Sequence, residues 1–173
     1  MSVQAAYLGI ILIWSTTPLA IQWSTQGTGF ALAVFARMAI GVVVAAPLVL
    51  VWRIRFPLHA RARRAYLVGG LGLFGAMALT YWGARYVHSG LISVLFGLSP
   101  LMAAVLAAVF LGERGLTPLK VGGMLLGAGG LATIFINGGS LASEHALAGL
   151  AALLAAVFVY SGSLVWLKRI GDD

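Results

Sequence analysis

Six apolar stretches follow one another along this chain with only short polar connections between them, near residues 4–24, 30–52, 65–84, 88–111, 118–137 and 146–167. A helix rises 1.5 Å per residue, so about 20 residues cross the roughly 30 Å of hydrocarbon in a bilayer, and each stretch is about that long. Lipid offers backbone groups no hydrogen-bond partner, so spans of this kind fold as helices. The fold class is therefore all-α integral membrane, with six transmembrane helices. Composition agrees, at 61% hydrophobic and 9% charged residues. A soluble domain carries about 25% charged residues and buries only about 70% of its unfolded surface at this size. The amino terminus, MSVQ, has no basic flank, so the first stretch reads as a retained helix and not as a cleaved signal. No separate soluble domain is expected.

The net charge of +7 could suggest a nucleic-acid partner, but its placement argues for a lipid bilayer. Nine of the eleven Lys and Arg residues lie in alternate connections: Arg53, Arg55, Arg61, Arg63 and Arg64; Arg114 and Lys120; Lys168 and Arg169. Basic loops stay cytoplasmic, so both termini are expected inside, with the chain multi-pass in the plasma membrane, the inner membrane of a bacterium. The basic segment reads as a topology signal resting on anionic lipid. It lacks the interleaved aromatics of a nucleic-acid platform.

Two polar interruptions stand out. The first span contains Trp14-Ser-Thr-Thr-Pro18 and the fourth contains Phe96-Gly-Leu-Ser-Pro100, each near the middle of its span. A proline removes one backbone hydrogen bond and crowds the carbonyl four residues earlier, here that of Trp14 or Phe96. Breaks at one depth in two helices are expected to line a cavity, because irregular backbone is tolerated in a membrane where protein or water covers it. Helical spacing puts Ser15, Pro18 and Gln22 on one face, and Ser89, Ser93, Phe96 and Pro100 on another. The structural alternative is ordinary packing, with the hydroxyls bonded back to their own helix.

Arg37 lies seven positions into the second span. Arginine at a helix centre costs roughly 2.5–3.5 kcal/mol, so Arg37 is expected to face the cavity, with snorkelling to the interface as the alternative. A guanidinium there suits a carboxylate. Tyr81, Trp82 and Tyr86 read as an interfacial belt or a lid, with Tyr81 deep enough to reach the cavity. The 23 glycines, including Gly123 and Gly127 at GxxxG spacing, are expected to bring backbones close. Gly112 can cap the fourth span, with Glu113 and Arg114 paired beyond it.

Other function classes lack their residues. Cysteine is absent, His59, His88 and His145 are scattered, and no acid lies inside a span. No metal site, catalytic residue or cofactor is expected, and no Walker or Rossmann glycine pattern occurs.

The stretch ALTYWGARYVHSGLISVLFGLSPLMAAVLAAVFLGERGLTPLKVGGMLLGAGGLATIF resembles the second half of an EamA repeat of the drug/metabolite transporter superfamily. Its landmarks are Tyr81, Gly90, Ser99-Pro100-Leu101 and Leu111-Gly112-Glu113-Arg114, and Trp14, Ser15 and Arg37 also fit over residues 4–137. The resemblance implies a five-helix repeat, normally present twice in inverted orientation, that moves amino acids or other small metabolites, often outward, by alternating access. Residues 1–138 would then form a first repeat and 139–173 the start of a second, with Tyr160-Ser161-Gly162-Ser163 loosely echoing Trp14-Ser15-Thr16-Thr17. Either four further helices are missing from this chain, or it is a half-size protein completed by a partner subunit. The expected small-molecule site comprises Trp14, Ser15, Pro18, Arg37, Tyr81, Ser93, Phe96 and Pro100. The rival reading is a membrane scaffold or assembly subunit in which kinks and glycines serve packing.

Overall fold

The computed structural model describes residues 3–112, 117–137 and 145–172, and all the regular structure there is helical. The helices are α1 (Val3–Thr28), α2 (Phe30–Val51), α3 (Ala60–Gly83), α4 (Ser89–Phe96), α5 (Ser99–Leu111), α6 (Pro118–Asn137) and α7 (Ala146–Asp172). Five segments, α1, α2, α3, α4 with α5, and α7, are long and apolar enough to cross a membrane, and α6 is a further helix of 20 residues. The chain is a multi-pass membrane protein. The expected Glu113–Arg114 pair and the loop at 138–144 fall outside the described residues.

Two glycines make the turns. Gly29 alone separates α1 from α2 at φ 79°, and Gly112 ends α5 at φ 66°; both values favour a residue without Cβ. The connections at Gly29, at 84–88 and at His145 lie at one end of the bundle. There Arg85 stands over the rings of Phe30 and Tyr86, at 5.7 and 5.4 Å, and Tyr86 meets His145 edge-on at 5.6 Å. The main core lies toward this end, with Ile21, Val34, Tyr81, Val87, Ile92, Leu95 and Leu153 buried together. Gln22 fastens α1 to it, donating to the Val87 carbonyl at 3.3 Å and accepting from the Ser89 N–H at 3.2 Å.

The most extensive seam joins α3 to α7. Small residues make it: a Cβ on Gly72 would lie 2.2 Å from Cβ of Ser163, and one on Gly83 would lie 2.8 Å from the Gly149 carbonyl oxygen. Ala76, Thr80, Ala156 and Val157 are fully buried between them at helical spacing. The GxxxG pair of α6 does not behave as expected. Gly123 has nothing near it, and Gly127 only touches Leu101 at 4.0 Å, so the described part of α6 makes no comparable seam.

At the opposite end Arg61, at the start of α3, donates to the carbonyls of Ile170, at 2.5 Å, and Gly171. The last carbonyls of a helix have no intrahelical donor, and a cation favours that terminus. The basic segment and the basic tail therefore meet at one end of the bundle.

Candidate functional site

Around the middle of α1 a cavity of about 470 Å³ opens between α1, α2, α3, α4 and α7. Trp14, Ser15, Pro18, Arg37, Ser93 and Phe96 all line it. Three helices, α1, α2 and α4, thus bring together six of the eight residues expected from the sequence. Tyr81 and Pro100 are not in the wall. Tyr81 is 3% exposed and packs in the core one turn and more above Met77, the α3 residue that does reach the cavity. Pro100 sits in the first turn of α5, beyond the break, and is exposed.

The two interruptions differ, and the expectation of two broken helices is corrected. Helix α1 runs unbroken through Pro18. One turn earlier, Ser15 donates to the Leu12 carbonyl at 3.0 Å, Thr16 to the same carbonyl at 2.8 Å, and Thr17 to that of Ile13 at 2.6 Å. These hydroxyl protons are spent on their own helix, as in the packing alternative, which leaves only oxygen lone pairs for a solute at Ser15 and Thr17. The fourth span does break, between α4 and α5. Leu98 N–H reaches back only three residues, to the Leu95 carbonyl at 3.0 Å, which tightens the turn. Pro100 then lies in the first turn of α5, where its missing N–H costs nothing.

Helix α7 supports that break. Ser161, fully buried, donates to the Ser99 carbonyl at 3.1 Å, and the Tyr160 ring stands 6.3 Å from that of Phe96. Tyr160 lines the cavity with Ile13, Thr17, Leu73, Met77, Ile92 and Gly97, none of which was singled out from the sequence as a site residue. Leu73 and Met77 carried a signal, being four residues apart on one face of α3. For Tyr160 it was the match between its segment and that of Trp14.

Chemically the wall is mostly apolar, with hydroxyls and one cation, Arg37. No acidic residue occurs in the first 112 positions, so none of α1 to α4 can neutralise that charge. Among the described residues no group of three His, Cys, Asp or Glu stands together.

The profile of the EamA-like transporter family matches residues 2–136. This chain belongs to the EamA-like transporter family. A relative from Streptantibioticus cattleyicolor, described as "Probable terminal-alkyne amino-acid exporter", is 30% identical over 129 residues, covering 75% of this chain and 43% of the relative. This EamA-like chain therefore spans less than half the length of that relative. No solved structure matches it.

Proposed function

We propose that this EamA-like chain forms the solute-binding half of a carrier that moves a small carboxylate-bearing metabolite, an amino acid or a related solute, outward by alternating access. One observation carries the reading: Arg37 lines an apolar cavity beside Trp14, Phe96 and Tyr160, in a chain whose first 112 residues hold no acid. In that setting the guanidinium pairs with a solute carboxylate, and the rings cover the apolar part. Ser93 and the oxygens of Ser15 and Thr17 are placed to accept from an amine. The description of the relative as an amino-acid exporter points the same way. A binding site of this kind, with hydroxyls but no acid–base pair in its wall, serves passage better than chemistry.

The proposed setting is a plasma membrane, with residues 1–138 as one repeat, 139–173 as the start of another, and a second repeat or partner subunit closing the cavity. Both termini would face the cytoplasm, because the contact of Arg61 with the end of α7 gathers the basic segments on one side. A scaffold remains the rival, favoured by the hydroxyls of α1 that bond to their own helix.

Titration of Trp14 fluorescence in the chain reconstituted into liposomes, against the Trp14→Phe variant, tests the reading alongside flux of labelled amino acids. Arg37→Gln should weaken an amino acid by about tenfold or more, near 1.4 kcal/mol, and leave its carboxamide analogue unchanged. If acid and amide bind alike in the parent protein, or neither binds, the carrier reading fails and the scaffold stands.

A further inference from the structure

Away from the central cavity, two adjoining hollows meet at Trp166 and Arg169, near the end of α7. One is an apolar groove of about 200 Å³ between α5 and α7, with Leu106, Phe110 and Phe158 in its wall. The other, of about 460 Å³, lies between α3 and α7 and includes Arg64, Leu67 and Ile170. Trp166 and Arg169 line both. An apolar trough thus runs up to a basic recess, with an exposed indole at the junction, the depth at which tryptophan sits in membranes.

The recess is held in shape. Arg61 donates to the carbonyls of Ile170 and Gly171, which ties the last turn of α7 to the first turn of α3 and keeps Arg169 beside Arg64. The two segments carry Arg61, Arg63, Arg64, Lys168 and Arg169 against the two acids Asp172 and Asp173, so their balance is positive. A soluble anion would use the recess alone, and a neutral lipid or an apolar helix would use the groove alone. A phosphate joined to an acyl chain uses both. We infer that this surface is a binding site for one anionic phospholipid, its phosphate held by Arg64 and Arg169 and one chain lying in the α5–α7 groove. Bound there, the lipid bridges α3, α5 and α7, the helices that form the seam and support the broken span.

Native mass spectrometry of the detergent-solubilised chain with phosphatidylglycerol or phosphatidylcholine tests the site. Phosphatidylglycerol should be retained and phosphatidylcholine lost, and glycerol 1-phosphate should not compete. Arg64→Gln and Arg169→Gln should each lower retention about fivefold, the equivalent of roughly 1 kcal/mol per basic residue at a membrane surface. Arg169→Lys should retain most of the lipid, which separates charge from folding. The charge-matched variant Arg55→Gln, whose residue lines neither hollow, should retain it fully. Phosphatidylglycerol brominated on its chains should quench the parent protein more than Trp166→Phe. Equal retention of both lipids, equal loss in the charge-matched variant, or equal quenching without Trp166 would overturn the site. So would a dimer that Gly162→Leu disrupts while lipid retention stays the same, since the groove would then hold a second copy.

Discussion

Pro18 and Pro100 both interrupt a span near its middle, the first after three hydroxyls in WSTTP and the second after one hydroxyl and a glycine in FGLSP, and the chain answers them differently. At Pro18 the helix persists and its own hydroxyls take up neighbouring carbonyls. At Pro100 the helix stops and restarts, and the hydrogen bond beside the proline comes from Ser161 on another helix. The two sites differ in local hydroxyls, three before Pro18 and one before Pro100, and they differ in their neighbours as well. Helix α1 is largely exposed around Pro18 and touches α2 and α4 toward its end, whereas α4 packs on α1 and α5 packs on α7, two surfaces that one straight helix need not satisfy together.

The hardest test of this contrast is Pro100→Ala. Alanine restores an N–H for the Phe96 carbonyl and favours one continuous helix, by up to about 3 kcal/mol relative to proline in a helix interior. Straightening would carry Phe96 and Gly97 away from Tyr160, so solute affinity read by Trp14 fluorescence should fall about tenfold, near 1.4 kcal/mol, with helix content by circular dichroism preserved. Unchanged affinity would mean that packing alone, without the proline, holds the break.

The contrast also shows what could be read before any coordinates. Helix number, the broken fourth span and the meeting of Trp14, Arg37 and Phe96 were legible, because lipid forces helices and an arginine within a span needs a polar setting. The fate of Pro18 was not, since a hydroxyl can serve its own helix or a ligand and spacing does not distinguish them. Tyr81 was misplaced for a related reason. Periodicity puts it near the cavity level, but the packing of α3 against α2 and α7 folds it into the core and leaves Met77 at the wall. Glycine spacing was equally ambiguous: Gly72 meets a neighbour and Gly123 does not, although both lie in glycine-rich runs.

A smaller effect is expected from Pro18→Ala. Helix α1 is already continuous, so the new N–H completes a ladder without moving the chain, and thermal stability should rise. Affinity should change by less than about threefold, under 0.7 kcal/mol. A loss larger than that of Pro100→Ala would invert the comparison and make the bend at Pro18 the one on which the cavity depends.

The smallest difference separates the hydroxyls themselves. Ser161→Ala removes an interhelical bond to the Ser99 carbonyl, of a kind that averages about 0.6 kcal/mol in membrane proteins. Thr17→Val removes a bond inside α1 to a carbonyl that the helix ladder can still satisfy, so its cost should fall below that figure. Their consequences should also differ in kind. Loss of Ser161 frees the turn between α4 and α5, and amide hydrogen exchange should quicken at Gly97 and Leu98. Loss of Thr17 should leave exchange in α1 unchanged, because the neighbouring Ser15 and Thr16 still bond to Leu12. Equal quickening at both sites would show that the two prolines rest on the same kind of support after all, with the tertiary bond from α7 adding nothing of its own.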